Sequence, residues 1–428
     1  MTDLGVSLHA WLDKLDPVNG PEWYRHLFAR EFACGCQTWT TYCAEWQAVI
    51  TPPVTPQARA QSAWIHLNGT AVSDTLIAKE AARRRYIVLN AWESNLIPKI
   101  KAANPNCLVF VYKCLSSTRS YDTSPNWQML PAGVSYQWAD TNRPEWFLLK
   151  SGARVQWDYD GHWQMDVGHL GYQTMWARNV ARVKEYGWDG VWIDNCLWKR
   201  SAYDIYPDKY ATDDTLRDAY RSALRSITPV LKAAGLLTIG NLNGAREITG
   251  GWGSYLDAGL DGAFDEFWLS VNDSGTNLLP EYSQGWRRQV DEIAYAESQG
   301  KIAIVQPHFP AGMVKPFRYA FASYLMGLGS TGNAAIVEAN GTDQYGNPTP
   351  WHPEYGWDLG TATGPIMSFA TNMFRRDFTK GMVLVNANRI GSTAVTVQLG
   401  GSYLNEGGAP VTSVSLAGTS GTILRKVS

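Results

Sequence analysis

Residues 172–195 read YQTMWARNVARVKEYGWDGVWIDN, and this stretch decides the fold. Its first part, residues 172–186, carries a helical pattern that stops at Gly187. Glycine accepts the left-handed backbone that closes a helix. Its second part, GVWIDN at 190–195, is a short apolar and β-branched run that ends on a carboxylate and an amide. Helix, glycine, strand is one half of a βαβ unit.

The same punctuation recurs along the chain. Ser73-Asp-Thr opens a helical run to Arg85, residues 213–234 stop at Gly235, and residues 281–299 stop at Gly300. Strand-like runs fall at 63–67, 86–90, 107–113, 163–167, 190–194, 236–241, 262–267, 301–306 and 334–338. Strand and helix repeated this often predict an α/β fold, a (β/α)8 TIM barrel. Nine candidates compete for eight positions, and either 63–67 or 334–338 is expected outside the barrel. A doubly wound open sheet is the alternative, but no G-x-G-x-x-G follows a strand. Beyond about residue 372 the helical period vanishes. Period-two runs at 381–387, 393–399, 411–416 and 422–427 predict a small antiparallel, sandwich-like β module over 372–428. Ahead of the barrel, residues 1–56 carry Trp23, Leu27, Phe28, Phe32, Trp39, Tyr42 and Trp46 at helical spacing. Thr51-Pro-Pro-Val-Thr-Pro56 ends this helical appendage, because prolines forbid its continuation. The barrel domain is therefore expected over 57–371.

The 428 residues carry a net charge of −2, 45% hydrophobic and 18% charged residues. Such a chain has ample apolar surface to bury. It shows no Lys/Arg cluster of the kind that binds nucleic acid, and no apolar run long enough to span a membrane. The start, MTDLGVSLHAWLDKLD, lacks a basic segment followed by an apolar one, so no signal peptide is expected and the location stays unassigned. Six cysteines make no disulfide scaffold. Cys34, Cys36 and Cys43 lack a fourth nearby ligand for zinc, no metal-binding spacing appears, and buried free thiols are the expectation. No metal or other cofactor is called for. Asn68, Asn272 and Asn340 open glycosylation sequons. The conspicuous count is 20 tryptophans. Flat indole faces suit either a packed core or a sugar cleft.

In a (β/α)8 barrel the site lies at the C-terminal ends of the strands. Polar residues recur there: Asp166, Asp194 with Asn195, Asn241 with Asn243, Asp265 with Glu266, Gln306 with His308, and Glu338. A carboxylate among apolar strand neighbours is costly unless paired or functional. Two of them facing one pocket supply the acid and the nucleophile or base of glycoside hydrolysis. Neighbouring strand residues point to opposite sides, so only one of Asp265 and Glu266 faces inward. Reach and position favour Glu266.

These stretches carry a resemblance. Trp163-Gln-Met-Asp166, then Gly187-Trp-Asp-Gly-Val-Trp-Ile-Asp194-Asn195, then Leu260-Asp-Gly-Ala-Phe-Asp-Glu266, resemble in order and spacing the hypothetical glycosyl hydrolase group of barrel proteins. That group is related in plan to endo-α-1,4-polygalactosaminidase-like proteins. Trp351-His-Pro-Glu-Tyr-Gly-Trp-Asp-Leu-Gly360 resembles its post-barrel loop, and Arg376-Asp-Phe-Thr-Lys-Gly381 the start of its C-terminal module. The resemblance covers residues 60–390. It implies Asp194 as nucleophile, Glu266 as acid/base, and Asp166 as a residue that holds sugar hydroxyls or tunes Asp194. Trp192 departs from a commoner Phe, and Asp265 beside Glu266 leaves the acid open.

The leading expectation is a glycoside hydrolase acting on a polysaccharide or oligosaccharide, such as a bacterial surface or cell-wall glycan. Trp92, Lys113, Trp163, Trp192, Asn195, Asn241, Trp268, His308 and Glu338 are the candidate substrate-binding residues. His162 and His169 flank Asp166 and read more readily as structural. The alternative is a non-catalytic glycan-binding or structural protein on a glycosidase scaffold, for example a bacteriophage tail component, with residues 1–56 meeting an assembly partner.

Overall fold

A computed structural model describes residues 60–159, 161–271, 277–339 and 345–427. The helical appendage expected over 1–56, with Trp23, Trp39, Trp46 and the Cys34, Cys36 and Cys43 cluster, lies outside these residues, as do Asn272 and Asn340.

Eight parallel strands close a barrel in strict chain order. They are β1 (Gln61–His66), β2 (Tyr86–Leu89), β3 (Leu108–Cys114), β4 (Gly190–Asp194), β5 (Leu237–Asn241), β6 (Gly262–Asp265), β7 (Ile302–Val305) and β8 (Ala334–Ile336). Every neighbouring pair is parallel, and closure runs through Gln61↔Ala335 and Ser62↔Ile336. So the runs at 63–67 and at 334–338 both belong to the barrel, against the expectation. The outsider is 163–167. His162–Gln164 pairs antiparallel with Ser117–Arg119, and β3 pairs directly with β4 from Phe110↔Gly190 to Cys114↔Asp194. No slot is open between β3 and β4, and a strand already returned antiparallel at Gly161 (φ +74°) cannot enter a parallel ring.

Helices follow the strands, and those near 73–85, 172–186, 213–234 and 281–299 lie where the punctuation predicts them. Ser73 caps α1 (Asp74–Arg83), its hydroxyl accepting from the Leu76 N–H at 3.2 Å. Then come α2 (Ile97–Ala103), α3 (Leu170–Ala181), α4 (Asp213–Ala233), the short α5 (Gly253–Leu256), α6 (Trp286–Ser298) and α7 (Val314–Gly327). A 3₁₀ turn, Arg182–Tyr186, prolongs α3 to Gly187 at φ +91°. Cys107, Cys114 and Cys196 are buried free thiols.

The C-terminal strands are β9 (Met367–Ala370), β10 (Met373–Phe378), β11 (Gly381–Asn386), β12 (Val395–Leu404), β13 (Pro410–Leu416) and β14 (Ser420–Lys426). They form one antiparallel sheet in the order β9-β10-β11-β14-β12-β13. The β12–β13 hairpin joins β14 only through Tyr403 and Leu404, and its Leu399 and Leu416 pack with Met373, Met382, Leu384 and Leu424. The opposite face meets the barrel's helices. Phe374 stacks on Trp286 at 4.3 Å, and Arg376 Nη1 donates to the Met326 and Leu328 carbonyls at 2.5 and 2.6 Å. These carbonyls end α7 and have no partner of their own within the helix.

Candidate active site

Strand alternation sets what the barrel presents at its mouth. Ala63, Ile65, Tyr86, Val88, Phe110, Trp192, Ile239, Phe264, Ile304, Ala335 and Val337 fill the interior as one buried cluster. Residues of the same parity, one step further along, are Tyr112, Asp194, Asn241 and Glu266. These four meet above the apolar floor.

Their hydrogen bonds form a connected set. Asp194 Oδ2 accepts from Tyr112 Oη at 2.6 Å and from Asn195 Nδ2 at 2.7 Å. Asp194 Oδ1 accepts from Asn241 Nδ2 at 2.9 Å, and the same nitrogen donates to Glu266 Oε2 at 2.9 Å. Tyr345 Oη donates to Glu266 Oε1. Tyr203 Oη donates to Asn195 Oδ1 at 2.6 Å. One amide nitrogen thus spends a hydrogen on each carboxylate. Two acceptors each 2.9 Å from one atom are at most about 5.8 Å apart, and about 5 Å apart at the roughly 120° opening of an amide NH2.

Burial, and then the Asp194 charge, raise the Tyr112 hydroxyl well above the usual phenol range, so it remains a donor. Tyr203 is raised by the same two causes, with Glu266 adding to them. Asn195 sits at φ +61°, the left-handed side of backbone space that, after glycine, asparagine tolerates best. It is held there by Ser116 Oγ, which donates to its carbonyl at 2.5 Å.

Asp265 has the opposite parity. It is buried on the helix side, 3.8 Å from Arg246, and its own carboxylate accepts from the Phe267 N–H at 3.1 Å. Burial pushes it up to about 6, against the opposing pull of Arg246.

The other sequence candidates separate into two groups. Asn195 and Asn241 sit on the carboxylates, and Trp92 is 49% exposed just beyond β2. Trp163 is half-buried, its ring beside Tyr136. The rest point elsewhere. Asp166 does not end a barrel strand: it follows the outlying His162–Gln164 strand and is satisfied locally by Lys209 Nζ and Tyr210 Oη, both at 2.5 Å. Lys113 has outward parity and is buried. Its ammonium donates to the Gln128 and Leu130 carbonyls, and burial pulls it down to about 7. Trp192 is inside the barrel, 4.3 Å from Phe264. Trp268 is buried, donating to the Gln289 carbonyl. His308 is buried with its ring stacked on Phe267. Glu338 faces outward, with His352 Nε2 at 3.0 Å. His169 caps α3.

Tyr112, Tyr203 and Tyr345 were missed by sequence reasoning. Tyr112 was legible, since it keeps the parity of Phe110. Tyr203 and Tyr345 lie in loops, where no period marks direction. Among the described residues no group of three or more His, Cys, Asp and Glu side chains is placed to hold a metal, and no helix is long and apolar enough to cross a membrane.

Residues 101–382 match the model of hypothetical glycosyl hydrolase family 15. No curated protein matches the chain. Among solved structures, an α-glucosyl transfer enzyme, XgtA, superposes with a TM-score of 0.51 at 12% identity, covering 86% of this chain and 99% of its own. The glycoside hydrolase domain of PelA from Pseudomonas aeruginosa gives 0.42 at 14% identity, over 66% of this chain and 95% of that one. Aspergillus fumigatus Ega3, in complex with galactosamine, gives 0.40 at 14% identity, over 70% and 97%. The XgtA likeness supports the barrel fold.

Proposed function

The chain belongs to hypothetical glycosyl hydrolase family 15, and from that premise we propose that it cleaves a polysaccharide with Asp194 as nucleophile, Glu266 as acid/base, and retention at the anomeric carbon. The carrying observation is the Asn241 amide shared by the two carboxylates. One oxygen of each lies at most about 5.8 Å from the other, which suits the closely set carboxyls of retaining enzymes (about 5–5.5 Å) better than the about 6.5–9.5 Å that inverting enzymes need to admit a water.

In the first step Glu266 gives its proton to the glycosidic oxygen as the bond to the anomeric carbon breaks. An Asp194 oxygen bonds to that carbon from the opposite face. Tyr112, Asn195 and Asn241 hold the attacking carboxylate in one orientation, so little reorganisation is left for the transition state. In the second step Glu266, now ionised, takes a proton from water. The water oxygen displaces Asp194, and the sugar leaves with its original configuration.

Reducing-end release from a polysaccharide panel tests the pair. Glu266→Gln is expected to lose about 10²–10⁴-fold in kcat, and Asp194→Asn at least as much. Full activity in both variants overturns the assignment. Proton NMR of the first product tests the stereochemistry, and an inverted anomer refutes retention. Glycan binding by wild type without any bond cleavage favours the non-catalytic alternative.

A further inference from the structure

The longest connection of the barrel, from β3 to β4, carries two small antiparallel strand pairs: Ser117–Arg119 with His162–Gln164, and Leu149–Lys150 with Ala153–Arg154. It carries the rings of Tyr121 and Tyr159, which are 56% and 57% exposed. Both contact His162. The Tyr121 hydroxyl is 2.8 Å from its Nε2, and each tyrosine ring centre lies 5.8 Å from the imidazole. His162 stacks on buried Trp157 at 5.6 Å, and Trp157 stacks on Tyr203 at 3.9 Å with the planes 6° apart. Tyr203 donates to Asn195, and Asn195 to Asp194. An unbroken series of ring contacts and hydrogen bonds therefore runs from two exposed tyrosines to one of the paired carboxylates.

Singly exposed aromatics need no explanation, but these two rings share one histidine and are linked through it to a carboxylate at the barrel mouth. Tyr203, Asp204 and Tyr206 keep positive φ values of 52°, 54° and 27°. Such backbone persists where the surroundings over-determine it, and it clusters at functional sites. Each exposed ring also carries a hydroxyl, so the surface is apolar on its faces and hydrogen-bonding at its edges, which is the character of a sugar ring.

We propose that Tyr121 and Tyr159 form an outlying sugar-binding subsite that carries a polysaccharide chain past the ring held between Asp194 and Glu266, so that chains are better substrates than small glycosides. The proposal rests on the glycosidase reading and specifies its substrate as an extended chain. Burial, with Arg119 nearby, brings the His162 imidazole down to about 4. The Tyr121 hydrogen bond therefore stays unchanged across neutral pH, and binding at this subsite is expected to be flat there.

The test compares wild type with Tyr159→Ala, Tyr121→Ala and Tyr159→Phe on the polysaccharide that wild type hydrolyses and on a small aryl glycoside. Each alanine variant is expected to raise KM for the polymer by about 10-fold, the weight of one aromatic contact. Kinetics on the aryl glycoside stay within about twofold, and Tyr159→Phe loses less on the polymer than Tyr159→Ala because the ring remains. Equal effects on both substrates, or none on the polymer, overturn the subsite. Binding of oligosaccharides of graded length to Asp194→Asn, with and without Tyr159→Ala, decides the matter independently of turnover. If wild type cleaves nothing yet Tyr159→Ala still weakens long-chain binding, the catalytic reading fails and the subsite stands. If length makes no difference to binding, the subsite fails.

Discussion

Asn241 donates from one nitrogen to both carboxylates, and the whole candidate site turns on this residue. Without it, the two carboxyl groups lose the donor that links and orients them. Asn241→Ala is therefore expected to lower kcat by about 10²-fold with a smaller change in KM. Steady-state kinetics against thermal unfolding separates this from misfolding, since the variant should melt near wild type. Asp194 was legible because its strand, GVWID, is short, apolar and bounded by Gly187 and Asn195. The choice between Asp265 and Glu266 was legible only as an alternation. Side chains one residue apart point to opposite faces, but which face is inward depends on where Phe264 packs. Phe264 joins Trp192 inside the barrel, and Glu266 follows it inward.

At the scale of elements, the end of β1 grips the loop that supplies Tyr345. His66 Nδ1 faces the Gly346 carbonyl at 3.0 Å, and Nε2 faces Glu93 Oε1 and the Thr70 carbonyl, each at 3.1 Å. Leu67 and Asn68 donate their N–H groups to the Tyr345 carbonyl. Both ring nitrogens meet acceptors, which only the protonated imidazole can satisfy at once. Burial lowers the affinity of His66 for its proton, but Glu93 and the two carbonyls more than offset this and raise it above the ordinary value. A raised histidine stabilises the fold fully below its unfolded pKa, and that contribution fades as pH rises through the folded value. The stability of wild type over His66→Gln should thus be largest near pH 6 and shrink towards pH 9, measured by urea unfolding. The protection factors of the Leu67 and Asn68 amides, corrected for the intrinsic rise of exchange with pH, should fall over the same range. A difference independent of pH contradicts the charged clasp. None of this was readable from the chain, because His66 and Gly346 are joined only by closure of β1 against β8.

At the scale of the whole molecule, the C-terminal sheet covers the barrel's outer helix α7. Gly421 touches it: a Cβ there would lie 2.6 Å from Ala322 Cβ and 3.0 Å from the Arg318 carbonyl. Gly421→Val should destabilise by about 1–3 kcal/mol through overpacking and leave activity per folded molecule unchanged. Calorimetry with activity measured on the folded fraction checks this. If the melting temperature holds, the close packing of sheet and helix is refuted.

The 20 tryptophans divide differently at this scale than their positions suggested. Trp192 and Trp268 are core, Trp92 is exposed, and the exposed rings of the β3–β4 connection are Tyr121 and Tyr159. By itself the sequence determined the barrel, four of its helices, the C-terminal β module and Asp194 and Glu266 as strand-end carboxylates. Those follow from periodicity, caps and glycine stops, which are local properties of neighbouring residues. The tertiary structure alone decided which run was left out of the ring, which of two adjacent acids faces inward, and that Asp166 and Lys113 are bound locally. It alone brought Asn241, Tyr112 and Tyr345 onto the carboxylates. Those outcomes depend on contacts between residues far apart in the chain. Closing a barrel fixes every strand's inward face at once, and no single segment carries that information.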